Sequence, residues 1–215
     1  MRWRQRLFQL SWLVTVASSL EYYEAEGSVW TNWLRSLTVG GPFRGIYYPT
    51  NTVAGKWQYQ DWKGGLKGLL DTLRLSKGCR VRAFGSRWAS SNIAYTNDTL
   101  VDTTGLTFGR IGLWKKQVTK KYQERRKQLV LVQAGVMIRD LNRALIRRGL
   151  ALSTSGAGDG QRIAGAISTG THGSSFVFGS MQDYVKAIHM VVDEDRHVLI
   201  QRKSDRVITP RFAQY

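Results

Sequence analysis

Cysteine, histidine and acidic residues are all scarce in this chain of 215 residues. The single cysteine, Cys79, excludes an internal disulfide framework. The three histidines, His172, His189 and His197, do not have the spacing of a metal site. Fifteen acidic residues against 32 Lys and Arg give a net charge of +17, which would attract nucleic acid, an anionic membrane surface or an acidic protein without choosing among them. Thiol and zinc chemistry are not expected.

Long hydrophobic runs are also missing. The uncharged stretch Leu7–Leu20 follows three arginines and has 14 residues, too few to span a bilayer. Its order of basic, apolar and small residues is that of a signal peptide, but Gln9 and Trp12 interrupt the apolar run. We therefore favour a helix over residues 1–20 that docks on the domain or on a membrane surface, with a cleaved signal as the alternative. We favour a cytoplasmic or membrane-associated location over secretion.

An apolar content of 42% is enough for a core, and the chain has no internal repeat or low-complexity tract. Residues 21–62 are rich in Trp and Tyr and predict an irregular lead-in with one strand near Gly45–Tyr48. Leucines at helical spacing predict a helix over Leu66–Ser76, with Gly78 at the position of a left-handed cap. Arg80–Phe84 predicts the next strand.

The second half of the chain predicts alternating strands and helices. Leu100–Asp102 is typical of a short strand. Leu129–Gly149 predicts a strand, a glycine and an amphipathic helix with basic residues at its end, which is an α/β unit. Tyr184–Val192 and Val198–Arg202 predict two strands joined by an acidic turn.

The segment Arg110–Lys127 is the largest single source of the positive charge. It holds eight basic residues and one acidic residue, Glu124, so its net charge is +7. We interpret it as a solvated hairpin tip lying away from the core. A specific nucleic-acid patch is the alternative, but no recognition motif accompanies the charge.

Three segments of small and hydroxyl-bearing residues predict a ligand site: Gly85–Asn92, Gly156–Gln161 and Ile163–Gly173. Small residues let the backbone approach a large, flat, phosphate-bearing ligand, and unencumbered N–H groups favour a diphosphate. The second segment begins like the dinucleotide fingerprint G-x-G-x-x-G, but its sixth position is Gln161 and we expect no matching helix there. A Rossmann fold is therefore not predicted.

Together these segments resemble the vanillyl-alcohol-oxidase family of flavoproteins, in particular its sugar-lactone and alditol oxidase branch. Val81–Ile93 resembles the pyrophosphate-binding loop of that family, and Gly156–Ser174 resembles its second flavin-binding segment. Trp30–Trp33 resembles the aromatic lead-in of the lactone oxidase branch. The resemblance covers roughly residues 30–212. The residues it assigns to the cofactor are Gly85, Ser86, Arg87, Trp88, Ala89, Ser90, Ser91, Gly156, Ala157, Asp159, Ile163, Gly165, Ser168, Thr169, Thr171, His172 and Gly173.

The resemblance implies an α+β fold: a PCMH-type FAD-binding domain with two α/β subdomains, incomplete at its C-terminus. The expected division is a basic and aromatic lead-in over residues 1–62, a first FAD-binding subdomain over 63–152 and a second over 153–215. The chain is then expected to be either truncated before the substrate domain of the family or completed by a separate polypeptide that supplies it.

One departure from the family limits what the resemblance implies about chemistry. Many relatives have Gly-Ser-Gly-His-Ser in the first loop, and that histidine bonds covalently to the flavin; Trp88 stands at this position here. We therefore expect non-covalent FAD. His172 has no predicted carboxylate partner, so we favour a role in ordering the loop beside the flavin over a role as an acid or base. No substrate base or other catalytic residue is identified.

The function that the resemblance implies is oxidation of a CH–OH group of a sugar lactone or polyol by hydride transfer to FAD. The expected partners are FAD, a sugar or polyol substrate and the separate substrate-domain polypeptide, with membrane contact through residues 1–20. The alternative is a truncated, non-catalytic flavoprotein fragment whose basic surface binds an anionic partner. Nucleic acid is the third choice.

Overall fold

The computed structural model describes residues 62–210 and Phe212, preceded by four short strands. These strands are β1 (Leu20–Tyr23), β2 (Val29–Thr31), β3 (Thr38–Gly40) and β4 (Gly45–Pro49). The strand predicted near Gly45–Tyr48 is confirmed as β4, but the expectation of a single strand in the lead-in was wrong, because β1 pairs with β4 and β2 pairs with β3. Residues 1–19, which include nearly all of the predicted docking helix or signal, lie outside the described residues.

Helix α1 (Trp62–Leu75) begins four residues before its predicted start. Its inward face includes Thr72, which is fully buried and whose hydroxyl donates to the carbonyl of Gly68. Gly78 has φ +78°, so the predicted left-handed conformation after the helix is confirmed. The helix contacts β4 and leads the chain directly into the next strand.

A four-stranded sheet holds the first predicted ligand loop. Strands β5 (Val81–Phe84) and β6 (Thr99–Asp102) confirm two predictions, and the strand order is β1-β4-β6-β5. Both β4 and β5 run parallel to β6, whereas β1 is antiparallel to β4. Phe84 and Leu100 are buried in the small core of this sheet. Because β5 ends at Phe84, the loop that begins at Gly85 leaves from the carboxyl edge of the sheet.

The described residues after β6 form two antiparallel strand pairs and two α-helices, with short 3-10 helices between them. The elements are β7 (Gly109–Ile111), β8 (Val130–Val132), α2 (Ile138–Ile146), α3 (Ile163–Ser168), β9 (Ala187–Val191) and β10 (His197–Gln201). Strand β7 pairs with β8, and β9 pairs with β10. The predicted unit of strand, glycine and helix is confirmed by β8, Gly135 and α2. The predicted last hairpin is confirmed by β9 and β10, although β9 starts three residues later than expected.

The main core lies between α2 and α3. The α2 residues Ile138, Leu141 and Leu145 recur at helical spacing and are buried. They cluster with Ile163 and Ala166 of α3 and with Val136 and Met181. This packing fixes α3, and with it the small-residue segments on either side of it, against α2.

The interpretation of Arg110–Lys127 as a solvated hairpin tip was wrong. The segment does connect the paired strands β7 and β8, but it buries Leu113, Val118 and Tyr122. These side chains form a core with Val207 and Ile208 near the end of the chain. The lysines and arginines are mostly exposed on the outside of this core. The three apolar residues do not form a sustained strand or helix pattern, and their partner segment lies far along the chain, so local sequence did not indicate their burial.

Two of the three cores contain residues from both sides of the boundary expected at residue 152, and that division stays a prediction. Among the described residues, no helix is long and apolar enough to cross a bilayer. The same part of the chain has no group of three or more His, Cys, Asp or Glu placed to hold a metal ion.

Candidate cofactor-binding site

The first two predicted loops, Gly85–Asn92 and Gly156–Gln161, meet in the structure. The Ser86 hydroxyl donates to the carbonyl of Gly160 at 2.6 Å. A Cβ atom added to Gly85 would lie 2.7 Å from Cγ of Arg162, so the backbone of the first loop runs directly against this side chain. Only glycine permits such an approach without displacing the arginine.

Trp88 makes the second contact between these loops. A Cβ atom added to Gly158 would lie 2.7 Å from Cζ3 of the Trp88 indole, and one added to Gly160 would lie 2.7 Å from Cζ2. The edge of the indole that carries these atoms therefore packs against two glycines of the second loop. The side chain that stands at the family's covalent-histidine position fills the junction of the loops.

Arg87 is held in a conformation that L-residues avoid. Its φ is 59°, and among the residues that the structure describes it is the only non-glycine residue with a positive φ. The family motif given above has glycine at this position. Because a left-handed residue with a Cβ atom costs about 1 to 2 kcal/mol, the loop keeps this shape against a local penalty. The exposed guanidinium remains available to a ligand phosphate.

The third predicted segment, around Thr171–Gly173, adjoins the second loop. A Cβ atom added to Gly156 would lie 2.9 Å from Cγ2 of Thr171, and one added to Gly173 would lie 2.8 Å from the carbonyl oxygen of Ser155. The Gly173 N–H donates to Oγ1 of Thr154 at 2.8 Å. The structure therefore brings all three small-residue segments together.

His172 is exposed, and its Nδ1 lies 2.9 Å from the carbonyl oxygen of Gly173. This polar contact is with the backbone of its own loop. This contact fits a loop-ordering role, which stays a prediction. An acid or base role would need a proton-transfer partner, such as a carboxylate, at hydrogen-bond distance.

The first part of the run Ile163–Gly173 is helical. Within α3, Ile163 is buried in the main core and its N–H donates to the carbonyl of Val136, so its side chain and N–H both have partners inside the protein. Gly165, Ser168 and Thr169 are exposed on the opposite side. The hydroxyls of Ser168 and Thr169 donate back to helix carbonyls, at 2.7 and 2.9 Å respectively. A helix does begin two residues after Gln161, but α3 has only six residues.

Asp159 is engaged by an arginine of α2. Its Oδ1 lies 3.1 Å from Nη2 and 3.2 Å from Nε of Arg139. This hydrogen bonding lowers the pKa of the Asp159 carboxyl, which therefore stays ionised at neutral pH. Its negative charge is offset by Arg139, so the second loop does not present an uncompensated carboxylate to an anionic ligand. Ala157, Ser90 and Ser91 are exposed and Ala89 is half-buried.

Two polar side chains at the base of the loops have buried atoms without hydrogen-bond partners. They are Oε1 of Gln161 and Nε of Arg162. Nη1 of Arg162 donates to the carbonyl of Gly135 at 2.7 Å, which anchors the guanidinium between the loops. Both residues lie within the predicted segment Gly156–Ser174, but neither was assigned individually to the cofactor, because no motif marks them.

These observations test whether the residues fit a dinucleotide cofactor. The glycine backbones let the three loops pack closely against one another, and the exposed serines and Arg87 beside them can bind a diphosphate. Unpartnered Gln161 and Arg162 atoms add hydrogen-bonding capacity at the same place. The group fits, and the fold and loops define a cofactor-binding α+β domain.

Comparison with known families identifies the cofactor class. The family model described as "FAD binding domain" matches residues 69–199, which is more than half of the chain. The chain therefore belongs to this FAD-binding family, and the recognition of a PCMH-type flavoprotein domain with FAD as cofactor is confirmed.

Curated relatives match over about half of this chain. D-arabinono-1,4-lactone oxidase of Yarrowia lipolytica is 31% identical over 115 residues, which are 54% of this chain and 20% of the relative. L-gulono-1,4-lactone dehydrogenase of Mycobacterium tuberculosis is 35% identical over 115 residues, which are 54% of this chain and 24% of the relative. The chain thus matches only a fifth to a quarter of the length of these proteins.

Solved structures support the fold. Cholesterol oxidase from B. sterolicum aligns with a TM-score of 0.59 at 14% identity, covering 85% of this chain and 33% of that chain. A chitooligosaccharide oxidase aligns with a TM-score of 0.51 at 13% identity, covering 77% and 31%. At these identities the likeness concerns the fold alone, and the expected α+β PCMH-type fold is confirmed.

Proposed function

We propose that this chain is the FAD-binding portion of an oxidoreductase that oxidises a CH–OH group of a sugar lactone or polyol. The convergence of the three small-residue segments, in a chain of the FAD-binding family, is the observation that carries the proposal. The lactone substrates named for the curated relatives support the substrate class. Bound FAD would supply the hydride acceptor.

The chain's own residues would bind and orient the cofactor. Ser90, Ser91 and Arg87 are exposed on the first loop and would contact the diphosphate. Arg162 and Gln161 would use their unpartnered atoms at the base of the cradle. Thr171–Gly173 would lie along the ring system, with His172 holding the loop through its contact with the Gly173 carbonyl.

Attachment would be non-covalent. Trp88 stands at the family's linking-histidine position, and the carbon and nitrogen atoms of an indole do not form that bond to flavin. Its packing on Gly158 and Gly160 instead holds the loops together. Acid precipitation of the flavin-loaded protein should therefore release the yellow cofactor into the supernatant, and flavin retained in the pellet would contradict non-covalent binding.

The first experiment is reconstitution with FAD, followed by the visible absorption spectrum after removal of free cofactor. The loaded protein should be yellow, and Ser90→Glu should weaken binding because its carboxylate repels the diphosphate. Ser204→Glu adds the same charge at an exposed position outside the three loops and should leave binding unchanged. A colourless protein that ignores added FAD would refute the proposal.

The second experiment concerns the substrate. L-gulono-1,4-lactone, added without oxygen to the flavin-loaded protein together with its substrate-binding portion, should bleach the long-wavelength flavin band. Simple alditols test the polyol alternative in the same assay. Failure of all these substrates to reduce bound flavin would overturn the substrate class but not the cofactor.

A second candidate function rests on the basic segment between β7 and β8. Lys115, Lys116, Lys120, Arg125 and Lys127 are exposed there. A flavoprotein domain without catalysis of its own could use this surface to bind an anionic partner, with an affinity that falls as salt rises. Charge reversal at Lys115 and Lys120 should abolish such binding while leaving FAD binding intact.

A further inference from the structure

A polar cleft of about 550 Å³ lies beside β5. It is enclosed between one side of the strand and the connection that returns from β5 to β6. Its lining residues are Arg80, Arg82, Ser91, Asn92, Ile93, Tyr95, Thr96 and Asn97. A cleft of this size is within the range that small-molecule ligands occupy.

Arg80, just before β5, and Arg82, within it, give the cleft its charge. Arg80 and Arg82 are two residues apart, so both side chains point to one side of the strand, and both line the cleft. Nη1 of Arg82 donates to the carbonyl of Ile93 at 3.0 Å, which fixes one edge of that guanidinium. Among the described residues, no carboxylate forms an ion pair with either arginine.

The rest of the lining suits a ligand with several oxygen atoms. None of the described lining residues is acidic, and Ser91, Asn92 and Asn97 offer neutral donors. The nearby carboxylate of Asp98 does not line the cleft, and its Oδ2 accepts from the backbone N–H of Arg80. Thr96 is 3% exposed, and its buried hydroxyl has no hydrogen-bond partner. Ile93 and the ring of Tyr95 add apolar surface.

The position of the arginines separates the cleft from the cofactor cradle. The cradle loop begins at Gly85, after the carboxyl end of β5, whereas Arg80 precedes the strand. Five residues of extended chain correspond to about 16 Å. The cleft meets the first predicted loop at the end of that loop, where Ser91 and Asn92 line it.

We propose that this cleft is a second anion site that binds a phosphorylated small molecule. The phosphate would lie between the guanidinium groups of Arg80 and Arg82, since paired guanidinium donors match phosphate oxygens. The organic part would lie against Ile93 and Tyr95. Because the cleft is much larger than a phosphate group, it accommodates the organic part of the ligand as well.

The test is calorimetric titration of the flavin-loaded protein with glucose 6-phosphate, inorganic phosphate and glucose at constant ionic strength. Glucose 6-phosphate should bind more tightly than inorganic phosphate, and glucose should not bind. Arg80→Gln should weaken glucose 6-phosphate binding by about tenfold or more, because it removes a charge-assisted contact. Arg148→Gln removes an exposed arginine at the end of α2 and is the matched control.

Each other outcome would overturn the proposal. Absence of glucose 6-phosphate binding, or equal weakening in the Arg148 variant, would mean that the cleft recognises no phosphate specifically. Equal affinity for inorganic phosphate would exclude an organic ligand. Displacement of FAD by glucose 6-phosphate would make the cleft part of the cradle. FAD affinity is measured separately, so failure here is distinguishable from failure of the proposed cofactor site. If Arg80→Gln unfolds, Arg82→Gln and Arg80→Lys serve instead, with loss and partial retention of binding expected.

Discussion

Replacing Gly158 with alanine tests the junction of the first two loops, because the added methyl group would meet the Trp88 indole. The new Cβ would lie 2.7 Å from Cζ3 and 2.9 Å from Cη2 of that ring. Carbon atoms attract one another at about 3.5 to 4.0 Å, so both contacts would be repulsive. Overpacking of this kind costs about 1 to 3 kcal/mol. The φ of Gly158 lies outside the left-handed region, so its backbone can accept alanine. Without the clash, alanine would stabilise the fold by about 0.4 to 1 kcal/mol, because it lowers the conformational entropy of the unfolded chain.

A double-mutant cycle separates these two effects. In the native background, Gly158→Ala should lower the free energy of unfolding in urea. In a Trp88→Ala background the clash is absent, and the same change should be neutral or stabilising. The expected coupling between the two positions is about 1.5 to 3 kcal/mol. Gly165→Ala is the matched control, since nothing lies within 4 Å of its added Cβ and it sits in α3, where alanine is favoured over glycine by up to about 1 kcal/mol.

The reasoning would be refuted if Gly158→Ala had the same effect in both backgrounds. It would also be refuted if the change stabilised the native protein as Gly165→Ala does. Tryptophan fluorescence distinguishes a third response, in which the indole swings away from the second loop. In that case the emission of Trp88 should shift to longer wavelength, and the measured coupling should fall towards the lower end of the range.

Three further predictions concern single groups. Arg87→Gly should stabilise the fold by about 1 kcal/mol in urea unfolding, because glycine tolerates φ 59°, whereas Arg87→Ala should bring no gain. Hydrogen bonds from Lys121 and Tyr122 hold the pKa of Asp205 well below its ordinary 3.8. A lowered carboxyl pKa stabilises the fold above about pH 4, so the free energy of unfolding should fall as the solution is acidified below that pH. Asp205→Asn should flatten this fall. Burial and the neighbouring His197, whose Nδ1 lies 2.8 Å from Nε2 of His189, lower the pKa of His189 below 6.5. The free energy of unfolding should therefore decrease as pH falls through about 6.5. His197→Asn should raise the His189 pKa measured by NMR, and the absence of this shift would contradict the contact.

Elements with a regular local pattern could be predicted from the sequence. The leucine spacing of α1, the strand before Gly85 and the unit from β8 to α2 are each encoded within a window of about a dozen residues. The fold family was also identifiable, because its small-residue segments occur in a fixed order along the chain.

Elements that depend on distant partners could not be predicted in the same way. Leu113, Val118 and Tyr122 stand in a strongly basic segment, and their burial requires Val207 and Ile208, which arrive more than 80 residues later. The helix α3 is short and rich in glycine and alanine, so its own pattern is weak. Its formation depends on packing against α2, and most helical stability in proteins comes from such packing.

The sequence by itself determined the chemistry of the cofactor segments: small residues where a backbone must approach closely, hydroxyls and an arginine beside them, and tryptophan in place of a linking histidine. The tertiary structure decided which of these groups meet. It placed Trp88 on Gly158 and Gly160, joined Ser86 to Gly160 and brought Arg162 between the loops. The physical reason is that backbone freedom and donor chemistry are properties of each residue, whereas a contact across some seventy residues exists only after the sheet and the helices have packed.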